Sequence, residues 1–337
     1  MIGGNNRLNV LLVLPKVGTI LNFKNSFLEA FCKLNMNVTC YEVDGEKNFD
    51  IQRKEAMQCI QDNHITACLM INDISSNGIF FMNEELLKSV DCYVWFVDAA
   101  YCNRKDPHIP LYKGVYSFEP NDIAYGRKTY GIEFTYLPLT AGQSIFCNYS
   151  QKKEYIYDIS FIGLVAGCAK RLELLDAVAK YCVKHHKKMI CYGHFWHNAH
   201  PLQNAIESIK FKIKHPHLYR FVVNKRICAQ DAANIYQHTR INLNIHIPKH
   251  SGFNCRTFEI LGGHNFELCD IQNLEYIKLE DGEHIVFYKN KQDLLEKIAY
   301  YLNNDTKREK IANQGGAYVN EYYSFDKSLQ KIFRCNK

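Results

Sequence analysis

Residues Ile241 to Asp270 read INLNIHIPKHSGFNCRTFEILGGHNFELCD, and the fold turns on this run. Ile241, Leu243 and Ile245 alternate with polar residues, the period of a strand buried in an α/β sheet. A loop, IPKHSGF, follows. Asn254 is then placed to cap a short helix that carries Arg256 and Glu259 and stops at Gly262-Gly263. Phe266 and Leu268 open another strand that reaches Asp270. The unit is therefore strand, loop, helix, strand, with the helix N-terminus at the strand's carboxyl end, where open α/β sheets bind ligands. A positive helix pole beside Arg256 favours an anion, and a carboxylate one turn later suits the hydroxyl pair of a sugar. The pairing predicts a site for a nucleotide diphosphate.

Outward from this unit the same alternation continues. Towards the N-terminus, strands are predicted at Leu8 to Pro15, Val38 to Val43, Thr66 to Ile71 and Tyr93 to Val97, with short ones at Gly114 to Phe118 and Phe134 to Leu137. Helical stretches separate the earlier ones, and a turn at 17–19 leads into the first helix. A polar segment, Gly142 to Asp158, reads as a linker and hinge. Beyond it lie a strand at Ile159 to Ile162, a helix at Leu172 to His185 and a strand at Met189 to Tyr192. Downstream of Asp270 come a strand at Ile285 to Tyr288 and helices at Lys291 to Leu302 and Thr306 to Glu321. The predicted fold is α/β with two doubly wound, Rossmann-like domains, residues 1–145 and 155–320. Residues 321–337 form a final helix, apolar at Phe325, Leu329, Ile332 and Phe333.

Composition narrows the class. The 337 residues are 47% hydrophobic and 23% charged, a folded globular chain, and the net charge of +6 leaves no strong nucleic-acid footprint. None of the 14 cysteines stands in a Cys-x-x-Cys pair, and Cys68, Cys92, Cys191 and Cys269 sit inside apolar runs, so reduced buried thiols and a cytoplasmic location are expected. No run reaches the ~18 apolar residues of a membrane span, which leaves only peripheral membrane association. A Walker loop and a Gly-x-Gly-x-x-Gly after the first strand are both missing, which weakens kinase and dehydrogenase readings. The run His194, His197, His200 invites a metal, but it has no fourth ligand and Pro201 follows; no metal site is expected.

The runs LNIH, GFNCRTFEILGG and YIKLEDGEHIVFYKNKQDLLEKIAYYLNND resemble the carboxyl half of group 1 glycosyltransferases of the spore-maturation CgeB type. The segments YVWFVDAAYC, FIG with Arg171, and CYGHFW resemble the family more loosely. The resemblance implies the GT-B architecture, two Rossmann-like domains facing across a cleft. It also implies a nucleotide diphosphate-sugar as co-substrate, the acceptor on the first domain and the donor on the second, with no metal or other cofactor. Within the RTFE match, Glu259 would hold the ribose hydroxyls, Arg256 would neutralise the diphosphate and Thr257 would stand beside them. Lys249, Arg171 and the backbone at Gly163 are further candidates for the diphosphate. Asp98, at the end of a core strand, is the candidate base for the acceptor hydroxyl. His246 and His250 flank the loop before the helix and are candidates to touch donor or acceptor.

Two positions depart from the wider superfamily. Ser251 stands where many retaining relatives carry a second glutamate against the donor sugar. His264 stands where a glycine is usual, which would put an imidazole near the phosphates or the sugar. These departures fit either an unusual donor or decayed catalysis. The expected function is glycosyl transfer to a hydroxyl of a glycan or glycolipid precursor. The rivals are a glycosyltransferase acting on modified bases in DNA, a sugar-nucleotide epimerase, and an inert sugar-nucleotide-binding protein. The DNA rival draws on the basic stretch Lys210 to Arg226, which also reads as a plain amphipathic helix and strand with solvated outer faces.

Overall fold

The computed structural model describes residues 7–16, 20, 23–102, 105–147, 154–196 and 200–334. The turn expected at 17–19, the middle of the expected linker and His197 lie outside them. The chain forms two compact units. One comprises Met1–Gly142, Ser251–Phe253 and Tyr323–Lys337; the other comprises Gln143–His250 and Asn254–Tyr322.

The first unit is built on six parallel strands: β1 (Asn9–Pro15), β2 (Asn37–Val43), β3 (Ala67–Ile71), β6 (Asp91–Phe96), β7 (Gly114–Ser117) and β8 (Thr135–Tyr136). They lie in the order β2-β1-β3-β6-β7-β8, and a small hairpin, β4 (Ser75–Ser76) with β5 (Ile79–Phe80), stands outside the sheet. Strand β1 shows why the sheet is covered on both sides. Leu11 and Val13 enter one apolar cluster while Val10, Leu12 and Leu14 enter another, because side chains alternate between faces. The Phe325–Arg334 helix closes the second cluster with Phe325, Leu329 and Ile332, all buried and spaced on one helical face. Its Phe325 ring lies 4.8 Å from that of Phe27 and 6.0 Å from that of Trp95, and Phe333 meets Tyr93 at 5.5 Å.

The second unit holds β9 (Tyr157–Ile162), β10 (Met189–Tyr192), β11 (Val222–Val223), β12 (Thr239–Asn244), β13 (Glu267–Asp270) and β14 (Val286–Tyr288). All six are parallel, in the order β11-β10-β9-β12-β13-β14. The chain winds outward from β9 through β10 to β11, then crosses to the other side of β9 to lay down β12. The order thus reverses between β9 and β12, which marks the topological switch point. Strand β12 divides its residues sharply. Ile241 and Leu243 join the apolar core, while Asn242 and Asn244 are buried on the opposite face. Asn242 satisfies itself there with the Ser160 hydroxyl (2.7 Å) and the Tyr236 and Phe266 carbonyls (3.2 Å each), as a buried amide must.

Strands and helices stand within a few residues of their expected places. The helix Pro120–Tyr130 was not expected, and the basic stretch resolves into helices Pro201–Lys214 and Pro216–Tyr219 followed by β11. Cys68, Cys92, Cys191 and Cys269 are buried free thiols. Among the described residues no helix is long and apolar enough to cross a membrane.

Candidate functional site

The Cys255–Gly262 helix starts just beyond the carboxyl end of β12, and its start is over-determined. Asn254, in extended conformation, accepts from the Arg256 N–H through its side chain (3.0 Å), the N-cap expected from sequence. Its own N–H donates to Nε2 of His246 at 3.2 Å. That nitrogen must therefore be unprotonated, so Nδ1 carries the proton and donates to Asp270 Oδ1 at 2.8 Å. Burial holds the His246 imidazole below its usual range, so it stays neutral. Burial would raise the Asp270 carboxyl, but His246 and Lys170 (2.5 Å) outweigh it and hold it low. His246, Cys269 and Asp270 bring possible metal-ligand atoms within 4.8 Å of one another. The ring is already committed on both nitrogens and the carboxylate to Lys170, so the cluster is a closed hydrogen-bonded anchor.

Beneath the helix runs a second buried network that the sequence analysis did not anticipate. Asn244 Nδ2 lies 3.0 Å from Asn254 Oδ1, 3.1 Å from the Thr257 hydroxyl and 2.9 Å from Glu267 Oε1. The Thr257 hydroxyl donates to the same Glu267 oxygen at 2.9 Å. Thr257 is fully buried, so it ties the helix to β13 and does not face a ligand as the resemblance implied. Burial pushes the Glu267 carboxyl up to about 7, and its Oε2 has no partner. Acids and amides alternating with aliphatics in INLN and FELCD were the available signal.

Two arginines meet at the switch point. Arg171, 4% exposed, donates from Nε to the Ile245 carbonyl (2.7 Å) beyond β12, and from a terminal nitrogen to the Leu164 carbonyl (2.6 Å) beyond β9. Arg256 Nε donates to the carbonyl of Ile162, the last residue of β9. Burial, with Arg256 adding to it, pushes the Arg171 guanidinium down to about 10, still charged at neutral pH. Among the described residues no carboxylate lies within ion-pair distance of either guanidinium. Arg256 does not pair with Glu259, which removes the ordinary reading of this i, i+3 couple as a helix-surface salt bridge. Glu259 is half-buried on the same helix, where its carboxylate accepts from the Cys255 thiol, and burial raises its carboxyl while Arg256 and that thiol oppose the rise.

Gly163 lets two loops close on each other. A Cβ there would stand 2.9 Å from the Phe161 ring, and one on Gly193 (φ +147°) would strike the Gly163 carbonyl at 1.9 Å. Lys249 is exposed and His250 half-buried.

Two expected positions lie elsewhere. His264, in left-handed conformation (φ +53°), sits past the opposite end of the helix, buried against Gly316. Asn320 Nδ2 stands 3.5 Å from its Nε2 and donates to the Gly262 carbonyl at 3.0 Å. An imidazole there does not crowd the helix N-terminus. Ser251, in the first unit, is taken up by the carboxylate of Glu119. That carboxylate accepts from the Ser251 N–H (3.0 Å), the Ser251 hydroxyl (2.5 Å) and the Gly252 N–H (3.3 Å). Glu119 also caps the Pro120–Tyr130 helix through the Asn121 N–H at 3.2 Å. The pair Glu119-Pro120, a carboxylate before a proline at the first helical position, was the overlooked signal for both cap and helix. Asp98 is exposed just beyond β6, with Oδ2 held at 3.0 Å by Asn72, whose Oδ1 accepts from the Val97 and Asp98 N–H groups.

Comparison with known proteins fits this geometry. Residues 171–334 match the family model described as glycosyl transferase-like. The spore protein CgeB of Bacillus subtilis (strain 168) is 24% identical over 253 residues, 73% of this chain and 75% of that protein. Three solved structures align along nearly the whole length of both chains. An alpha-glucosyltransferase crystallised with UDP and a 13-mer DNA gives a TM-score of 0.71 at 8% identity, covering 97% of this chain and 99% of that one. A sucrose-phosphate synthase from Thermosynechococcus elongatus gives 0.68 at 11%, covering 98% and 99%. HepE from Anabaena gives 0.65 at 9%, covering 97% and 98%. At such identities the likeness speaks for the fold, and the fold is GT-B, two parallel-sheet Rossmann-like units.

Proposed function

We propose, from the premise that this chain belongs with the CgeB-like glycosyltransferases, that it moves a sugar from a nucleotide diphosphate-sugar to an acceptor hydroxyl. The donor's diphosphate occupies the β9–β12 switch point. One observation carries the reading: Arg171 and Arg256 sit together there, each bonded to strand-end carbonyls and, among the described residues, neither within ion-pair distance of a carboxylate. Fixed, partly dehydrated cations of this kind gain most from an anion that brings its own charge. Negative charge grows on the diphosphate as the bond to the sugar breaks, so guanidiniums already held in place stabilise the transition state more than the bound donor. The helix N-terminus adds to the same field, and exposed Lys249 extends it. Gly163 keeps side-chain bulk away from the β9 end of the site. Glu259, one turn after Arg256, keeps acceptor capacity beyond its bond to the Cys255 thiol and accepts from the ribose hydroxyls.

In the first unit, Asp98 is the carboxylate we assign to take the acceptor's proton, with Asn72 fixing its orientation. The acceptor class we assign is a glycan or glycolipid hydroxyl. Ser251 and His264 are engaged within their own units, so neither departure from the superfamily pattern counts as decay of the donor site. Anabaena HepE was crystallised with UDP and with UDP-glucose, which makes uridine diphosphate-sugars the first donors to test. A thermal-shift screen of UDP, GDP, ADP and CDP reads the site directly, since a ligand that binds the folded state raises Tm by mass action. A rise with one nucleoside diphosphate, lost in Arg256→Ala, is the expected result. No rise with any of them refutes the diphosphate site.

A further inference from the structure

The Pro201–Lys214 helix turns the wrong face to solvent. Leu202, Ile206, Ile209 and Ile213 retain 76%, 45%, 59% and 76% of their surface, while Phe211 is its one buried residue. At about 100° per residue the four aliphatics fall within an arc of roughly 60°, with Phe211 nearly opposite. Lys210 and Lys212, both exposed, stand roughly 70° and 90° to either side of the middle of that arc, and exposed Lys214 ends the helix. Glu207 is the helix's single acid and pairs with Lys210 at 2.8 Å. Four branched aliphatics in water on one helix form a contiguous apolar patch, which marks a docking surface.

We infer that this helix seats the protein on an anionic lipid bilayer surface, the aliphatic stripe entering the headgroup–acyl boundary and the lysines meeting the headgroups. The pattern is that of an interfacial helix: an apolar strip, cations on both flanks, and a polar remainder. Lysine stems reach past the apolar edge while their ammonium groups stay hydrated beside lipid phosphates. A second copy of the chain fits poorly. The 202-206-209-213 spacing is that of heptad d and a positions, which puts Lys210 and Lys212 at the e and g positions with Gln203 and Ala205. Self-pairing would therefore set lysine against lysine with no acid on either flank. A nucleic-acid backbone would engage the lysines but leave four aliphatics against a polyanion. A bilayer satisfies both chemistries, and it suits a lipid-linked acceptor without depending on that reading.

Flotation of the full chain with phosphatidylcholine vesicles, with and without phosphatidylglycerol, tests this without nucleotide or sugar. Binding is expected only where phosphatidylglycerol is present, and high salt should weaken it. The Ile206→Ser/Ile209→Ser variant should no longer float. Leu202→Ser/Ile213→Ser, altering the two most exposed positions, should lose most of its binding and serves as the check if the first variant misfolds. Replacing Lys212 and Lys214 by glutamine should weaken binding roughly fivefold per cation. An unchanged Tm in these variants separates surface loss from unfolding. The inference is overturned if the wild-type chain does not float with phosphatidylglycerol, or if the serine variants float as well as it does. A wild-type dimer dissolved by the serine changes would overturn it in favour of a second copy. DNA binding abolished by the lysine changes, with no vesicle binding, would overturn it in favour of nucleic acid.

Discussion

Replacing Glu267 by glutamine should remove a loss of stability that sets in as pH rises. Glu267 lies fully buried on β13, its Oε1 accepting from Asn244 and Thr257 at 2.9 Å each and its Oε2 unpartnered. Burial raises the carboxyl from 4.5 to about 7. Between those two values the unfolded chain has released the proton and the folded chain keeps it. Stability therefore falls as pH rises through this window and levels off above the folded value. A rise of that size corresponds to about 3 kcal/mol for a fully buried group. The Glu267→Gln variant keeps the Oε1 acceptor but does not titrate. Whatever fixed cost its amide carries at Oε2, its stability relative to wild type should climb by about 3 kcal/mol between pH 4.5 and pH 8. Urea unfolding of both proteins across that range measures the difference, and groups common to both cancel. A difference that stays flat within about 0.5 kcal/mol would show that Glu267 ionises normally and that the network under the helix is wetter than described.

Arg256→Ala should weaken nucleotide diphosphate binding and also lower kcat at saturating donor, because the guanidinium meets charge that grows during transfer; Arg256→Lys should recover only part of the rate. Full turnover in Arg256→Ala would make the residue structural. Glu259→Ala should cost roughly ten- to a hundredfold in nucleotide affinity with Tm little changed, as expected for a lost charge-assisted contact to the ribose; calorimetric titration decides it, and equal affinity removes the assignment. Gly252→Ala should destabilise the first unit by about 1–3 kcal/mol, since its Cβ would lie 2.4 Å from the Phe118 carbonyl and 2.9 Å from Pro120 Cδ; an unchanged Tm contradicts that packing.

What could be read in advance was whatever depends on local period and chemistry. The alternation in INLNI marked a strand, and Asn254 before a helical run marked a cap; both stand in the structure. Periodicity does not say what a polar residue on the inner face will meet. Thr257 looked available beside Arg256, yet position 257 turns inward to Glu267, ten residues away and on another element. Ser251 looked like a donor contact because it stands where many retaining relatives carry a second glutamate. Its actual partner, Glu119, is 132 positions distant, a pairing no window of sequence contains. Arg171 could be named as a candidate for the diphosphate, but nothing in its own stretch of sequence tells what holds it. Its burial against two carbonyls follows from the crossing of β9 and β12, which only the assembled sheet defines.

The seating of Phe325 and Phe333 against Phe27, Trp95 and Tyr93 bears on the order in which this protein can be made. A ribosome that has released Trp95 must add some 230 more residues before Phe325 follows, roughly 10 to 50 s at ordinary elongation rates. Through that interval one face of the β1-β3-β6 sheet lacks the helix that covers it, while every strand of the second unit is synthesised. The unit begun first is thus completed last. Its nascent aliphatic and aromatic surface is therefore a surface for a chaperone to cover during that interval.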